Sequence, residues 1–168
     1  MEAIERLVAR SEIEDCMKTY ARGVDRRDWQ SVAACFHPDA TDHHGEFRGD
    51  PPAFIDWVSS RHAEVPFCMH YLLNCLIEFG QSDVAAVETY FWAIQRRDMV
   101  NQGSDLEVFG RYIDRFEKRD GTWRVADRKV AYDSTRQAAS SHHLREMVGV
   151  LGRRDASDPI FDLIASIK

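Results

Sequence analysis

His70 is an ionisable residue set in apolar company. It lies in FCMHYLLNC (67–75), where Phe, Met, Tyr and Leu flank a single group able to carry charge. On a strand, Cys68, His70, Leu72 and Asn74 share one face, mixing polar and apolar side chains as a pocket wall does. Burial alone lowers an imidazole pKa by penalising the charged form, and a carboxylate partner raises it again towards neutrality. An imidazole held in that way is a competent general base. Without a partner, His70 is a neutral core histidine with one satisfied hydrogen bond.

Three further residues have types suited to chemistry. Tyr20 falls on an apolar helical stripe, where core packing is the default, but a buried phenol needs a hydrogen-bond partner and a substrate oxygen could serve. Arg128, in ADRKV, shares a strand face with Ala126, Val130 and Tyr132. It is either an exposed ion pair or a cavity residue able to polarise a leaving group or hold a carbonyl oxygen. Asp25 sits in the charged run DRRD, where pairing with a neighbouring arginine is the ordinary expectation. On an ideal helix it lies about 140° around the axis from Tyr20. The helix must then unwind near Gly23, or the pocket must be wide, if both are to face one site.

HPDATDHH (37–44) gathers three histidines and two aspartates but matches no standard metal-ligand spacing. His43 or His44 is instead placed to reach a cavity from a short strand. His142 and His143 are adjacent and diverge in any regular element. No Gly-rich phosphate loop, GxSxG or nucleophilic Cys–His motif is present, so we expect no metal, no cofactor and no covalent catalysis.

The elements that must position these residues follow from periodicity. Ser11 and Glu14 form a capping-box pattern and predict a helix from about residue 12, with Ile13, Met17, Tyr20 and Val24 as its stripe and a helical lead-in before it. Asp28 is the expected N-cap of a second helix carrying Trp29, Val32 and Phe36 inward. Asp50-Pro51 opens a third, with Phe54, Ile55 and Val58. After residue 65 the period shortens to that of strands: 66–79, 83–96, 105–118 and 122–134 are expected to be four long strands. RDGTW signals a tight hairpin between the last two, GQSD joins the first pair and DMVNQGSD the middle pair. A short earlier strand is expected within ATDHHGEF, and IFDLIASI as a final helix. Three helices followed by a strand meander is an α+β plan, with the helices on one face of the sheet. Several strands are apolar on both faces: either a bulge shifts the phase of alternation, or, as we favour, a second subunit covers the face the helices leave bare.

Composition sets outer bounds. The chain has 168 residues, 44% of them hydrophobic, enough for one globular core. A net charge of −6 with no basic stripe argues against nucleic acid or anionic membrane as partners. Four cysteines at positions 16, 35, 68 and 75 show neither CxxC nor a disulfide framework, and are expected as buried thiols of a cytoplasmic protein. No apolar run reaches the roughly 20 residues that span a bilayer.

RLVARSEIEDCMKTYARGVDRRDW followed by FHPDA resembles the opening of SnoaL-like domain proteins, within the nuclear transport factor 2-like superfamily. CMHYLLNCLIEF and EKRDGTWRVADRK continue the likeness, which is strongest to the branch of the dehydrochlorinases, bile-acid dehydratases and scytalone dehydratases. The resemblance implies a cone-shaped curved antiparallel sheet with three N-terminal helices on its concave face enclosing a pocket. It assigns residues 1–136 to that domain and leaves 137–168 as an extension, pocket-closing or oligomer-packing. It gives Asp25 and His70 the positions of a catalytic dyad and lines the cavity with Cys68 and Arg128. Tyr20 stands where bile-acid dehydratases have a catalytic tyrosine and dehydrochlorinases a lysine. Leu72, Asn74, Trp92 and Tyr132 complete the expected substrate-binding wall.

The implied activity is a cofactor-free lyase, dehydratase-like, or an isomerase acting on a small apolar substrate, cyclic or aromatic, in a homo-oligomer (dimer or trimer). Two other readings share the fold: a non-catalytic small subunit of a ring-hydroxylating dioxygenase, and a module that binds a hydrophobic ligand.

Overall fold

The computed structural model describes residues 2–81, 83–96, 104–139 and 149–168. Ser82, most of the DMVNQGSD loop and the His142–His143 pair lie outside the described residues. In chain order the elements are α1 (Ala3–Arg26), α2 (Trp29–Ala34), β1 (Phe36–His44), β2 (Phe47–Gly49), α3 (Pro51–His62), β3 (Phe67–Phe79), β4 (Val84–Arg96), β5 (Ser104–Arg119), β6 (Thr122–Ala139) and α4 (Pro159–Ser166).

The first helix is longer than the capping pattern at Ser11 suggests. Lead-in and helix are continuous, and the capping box sits at the true start, where Glu2 and Glu5 exchange side-chain and backbone bonds. Nothing between Ala9 and Ile13 breaks a helix, and the buried stripe of Ala9, Ile13, Met17, Tyr20 and Val24 runs through Ser11 unbroken. The helix ends at Arg27, which adopts a left-handed conformation (φ 55°). Asp28 then caps α2 as expected, accepting from the Ser31 backbone N–H at 3.1 Å. The turn is tight enough that a Cβ on Gly23 would lie 2.7 Å from Val32 Cγ2, so only glycine allows this approach of α2 to α1. Asp50 caps α3 by accepting from Ala53 N–H at 2.9 Å.

The six strands form one curved sheet in the order β2-β1-β6-β5-β4-β3. From β3 to β6 it is an antiparallel meander, closed between β5 and β6 by Asp120 and Gly121, both at positive φ. The first strand is longer than the ATDHHGEF pattern suggests, running from Phe36, and it pairs with β6 in parallel. Such a pairing needs a long crossover, and helix α3 with strands β2 to β5 supplies it. The core lies between the helices and the inner face of the sheet, around Ile13, Tyr20, Phe36, Phe54, Tyr112 and Phe116. No helix among the described residues is long and apolar enough to cross a membrane.

β3 is an edge strand, and α1 packs along it. Edge strands carry unpaired backbone groups that need partners. Helix α1 supplies two: Arg10 donates to the Ile77 carbonyl at 3.0 Å, and Asp25 accepts from the His70 backbone N–H at 2.9 Å. This seam brings the end of α1 to His70.

Candidate active site

The sheet and helices line a partly open cavity of about 600 Å³. Its wall includes Tyr20 and Val24 from α1, His44 from β1, Trp57, Val58 and His62 from α3, His70 from β3 and Phe91 and Ala93 from β4. Val108 and Tyr112 from β5 and Tyr132 from β6 complete it, while Glu46 and Arg61 pair at 2.6 Å near its outer end.

His70 is held at two points by one carboxylate. Asp25 Oδ2 takes its backbone N–H, and Asp25 Oδ1 lies 2.7 Å from its ring Nδ1. Both side chains are about nine-tenths buried. With Nδ1 committed, Nε2 is the ring nitrogen left to face the cavity. Burial works against charging this imidazole, but Cys68 and the Asp25 carboxylate outweigh it and raise its pKa from 6.5 to about 10. The angular difficulty between Tyr20 and Asp25 has a simple outcome. Helix α1 stays regular through both, Tyr20 faces the cavity, and Asp25 points to β3. The imidazole bridges the gap.

Of the other expected residues, Tyr20 and Tyr132 line the cavity. Burial holds the Tyr20 hydroxyl protonated, far above the ordinary phenol range, so it is a donor and not a base. Cys68 is buried behind the dyad, its Sγ 3.8 Å from His70 Nδ1, and is not on the cavity wall. Leu72 sits in a shallower depression beside Asp25 and Lys18. Asn74 is exposed, because the β3–β4 register shifts between Leu72 and Cys75 and the bulge reverses the alternation that placed Asn74 inward. Trp92 faces the opposite side of the sheet, stacked between Tyr71 (5.2 Å) and Phe109 (5.8 Å), one residue out of phase with the cavity-lining Phe91 and Ala93.

Arg128 is neither an exposed ion pair nor a cavity residue. It is wholly buried, donating to both oxygens of Asp114 at 2.8 and 2.7 Å. Its guanidinium carbon lies 4.2 Å from the Tyr20 ring centre and 4.5 Å from that of Tyr112. It therefore holds two cavity-wall aromatics from behind, by cation–π contact.

Two features of the site were not expected from sequence. His62 lines the cavity with burial, together with the charge of Arg154, lowering its pKa to about 3, so it is neutral. Arg154 Nη2 donates to its Nδ1 at 3.0 Å. The same arginine donates to the carbonyls of Asp25 (2.9 Å), Val24 (3.1 Å) and Val65. A guanidinium on the last carbonyls of α1 complements the helix dipole beside the dyad. Arg26 and Asp158 (3.0 Å) fasten the same segment, and Asp158 also caps α4. The other feature is a second histidine–carboxylate neighbour pair, His44 and Asp42 at 3.5 Å.

A metal could be considered at Asp25, Cys68 and His70, whose ligand atoms lie within 4.8 Å of one another. However, Nδ1 of His70 is at hydrogen-bond distance from Asp25, and the second Asp25 oxygen is occupied by a backbone N–H. Asp25 and His70 thus already satisfy one another.

Residues 5–129 match the family described as SnoaL-like domain. The chain belongs to this family. Over 146 residues it is 23% identical to the gamma-hexachlorocyclohexane dehydrochlorinase of Sphingobium indicum, a match spanning 84% of this chain and 92% of that protein. A type 2 hexachlorocyclohexane dehydrochlorinase has the same fold, with a TM-score of 0.77 at 20% identity, covering 88% of this chain and all of that one (100%). So does a candidate scytalone dehydratase from Novosphingobium aromaticivorans, with a TM-score of 0.72 at 23% identity, covering 86% and 94%. The β subunit of a candidate aromatic-ring-hydroxylating dioxygenase from the same bacterium also shares it, at 0.62 and 22%, covering 77% and 92%. The architecture is thus the cone fold of the nuclear transport factor 2-like superfamily.

Proposed function

We propose that this SnoaL-like protein is a cofactor-independent lyase that takes a proton from carbon in a small apolar ring and expels a leaving group. The observation that carries this reading is the His70–Asp25 pair, buried, doubly hydrogen-bonded and at the wall of an aromatic-lined cavity. His70 Nε2 accepts the proton. Asp25 holds the tautomer with Nδ1 protonated and stabilises the imidazolium as it forms. Tyr20, protonated throughout the working pH range, steadies the developing negative charge. The names of the relatives, a dehydrochlorinase and a candidate scytalone dehydratase, agree with elimination. Isomerisation would use the same base.

Likeness to a dioxygenase β subunit keeps the structural reading in view. That role has no use for a histidine aimed into a cavity with a dedicated carboxylate. The test is a panel of hydroxylated and halogenated rings followed by loss of a labelled proton from carbon. Turnover by the wild type, lost in His70→Ala, supports the lyase; turnover unchanged in His70→Ala overturns it. We further propose that a second copy of the chain covers the outer sheet face, where Tyr71, Leu73, Leu76, Tyr90 and Ile113 are exposed. A monomeric mass in solution would refute this.

A further inference from the structure

Asp42 is completely buried, and neither of its carboxylate oxygens has a hydrogen-bond partner. Such a group is costly unless something compensates its charge. Its surroundings narrow the choice. It stands opposite Arg128 in the β1–β6 register, and Arg128 Nη1 also has no hydrogen-bond partner, but that guanidinium is already bound through Nε and Nη2 by Asp114, so one cation faces two buried carboxylates. Tyr20 and Tyr132 are close enough to sense its charge. Arg61 and Glu46, which Tyr132 also senses, are paired with each other. That leaves His44, two residues along the same strand face, whose buried Nδ1 also has no hydrogen-bond partner and lies 3.5 Å from Asp42 Oδ1. A proton on Nδ1 satisfies that nitrogen and Asp42 Oδ1 at once, and a small rotation of the ring closes the gap to hydrogen-bond length.

His44 is also positioned for use. Its ring stacks on Phe54 at 5.3 Å, contacts Trp57 and Tyr132, and lines the cavity that His70 lines. The two histidines come from β1 and β3, towards opposite ends of the sheet, and the curvature of the sheet brings them to one chamber.

We infer that His44 and Asp42 form a second histidine–carboxylate pair that acts as the acid of the site, and that the leaving group is therefore an oxygen. This rests on the lyase reading and narrows its substrate class to rings bearing a hydroxyl on the carbon next to the one that loses the proton. Chloride departs without a proton; hydroxide at neutral pH does not. In the balanced step His70 Nε2 takes the proton from carbon, and the C–H electron pair becomes the new C=C bond. The C–O bond breaks towards oxygen, and that oxygen takes the Nε2 proton of the His44 imidazolium to leave as water. His70 ends protonated and His44 neutral, and exchange with solvent restores both.

The test uses the full chain, labelled with ¹⁵N-histidine, and a matched pair of rings differing only in hydroxyl or chloride at the leaving position. At pH 7 the wild type should show a doubly protonated His44 ring with a low-field Nδ1 proton, lost in Asp42→Asn while the His70 signals stay. His44→Gln, checked for a native thermal transition, should slow the hydroxyl substrate about 100-fold, the lower end of general-acid effects, and the chloride by less than about 3-fold. A singly protonated His44 unaffected by Asp42→Asn overturns the pair, and that reading needs no turnover. Equal effects on the two substrates overturn the acid assignment. If the wild type turns over neither ring, the lyase reading fails and takes the acid role with it, while the spectra still decide whether the pair exists.

Discussion

Asp25 binds His70 through both the backbone and the ring of the same residue, at 2.9 and 2.7 Å. One carboxylate thus closes a gap in the edge strand and fixes an imidazole. Fold stability and the candidate chemistry meet in it. Asp25→Asn keeps the shape and can still accept the backbone N–H, but it removes the charge that supports an imidazolium. We expect kcat to fall about 10²–10⁴-fold with KM changed little, the range for loss of effective acid–base catalysis. Steady-state kinetics on any substrate found by the ring panel would decide it, and a change confined to KM would contradict the assignment.

The pH dependence follows from the same pair. A base must be neutral to accept a proton, and Cys68 and Asp25 raise the His70 pKa to about 10 against the opposing effect of burial. Activity should therefore climb about tenfold per pH unit through neutrality and level off only in the alkaline range. In stability the sign is opposite. Because the folded pKa lies above the unfolded value near 6.5, the ion pair contributes fully below about pH 6.5, and the contribution is lost as pH rises through the folded value. Asp25→Asn should move the activity limb to lower pH and flatten the stability change. Rate profiles and thermal melts across pH 5–10 measure both, and a flat rate profile there would exclude His70 as the base.

Arg128 should behave as a structural residue. Arg128→Met leaves the wholly buried Asp114 carboxylate without its partner, and breaking one side of a buried pair costs about 3–5 kcal/mol. Arg128→Met combined with Asp114→Leu should recover much of that stability, since apolar replacement of a buried pair is often near neutral. Denaturant titration and turnover of the two variants together distinguish this from a substrate-contacting role, in which the double variant would be stable but no more active than the single.

What was legible in the sequence was whatever periodicity encodes. The helical stripes, the Asp28 and Asp50 caps and the four long strands follow from local spacing; contrast with its neighbours singled out His70, but its pairing with Asp25 came only from the family resemblance. The misplacements have local physical causes. Asn74 was turned outward by a bulge that strand alternation does not contain, and Trp92 belongs to the face opposite Phe91. Arg128 lies in a charged stretch whose burial depends on Asp114 from the neighbouring strand. His44, Asp42 and His62 acquire their surroundings only when β1, α3 and β6 meet. Arg154 lies 129 residues from the Asp25 carbonyl it binds, a separation no local pattern reports.

Arg154 is the last residue for which the geometry dictates an outcome. Three backbone carbonyls at the α1 end and the start of β3, together with His62 Nδ1, converge on one guanidinium. Arg154→Ala leaves the Asp25 carbonyl without this donor, while the Val65 and Val24 carbonyls keep only their bonds from Arg27, and the end of α1 loses one of its cations. We expect about 1–3 kcal/mol of destabilisation, as for a charged hydrogen bond in a partly buried setting. Lys at this position would restore the charge but not the fork that reaches four acceptors, so Arg154→Lys should recover only part of the loss. Because Asp25 supplies one of those carbonyls, the effect should extend to the dyad. Loosening the α1 terminus lengthens the His70–Asp25 contact, so kcat should fall along with stability. Deleting residues 149–168 should reproduce both effects. If the truncated chain keeps full stability and activity, Arg154 is not what holds the end of α1 against the dyad.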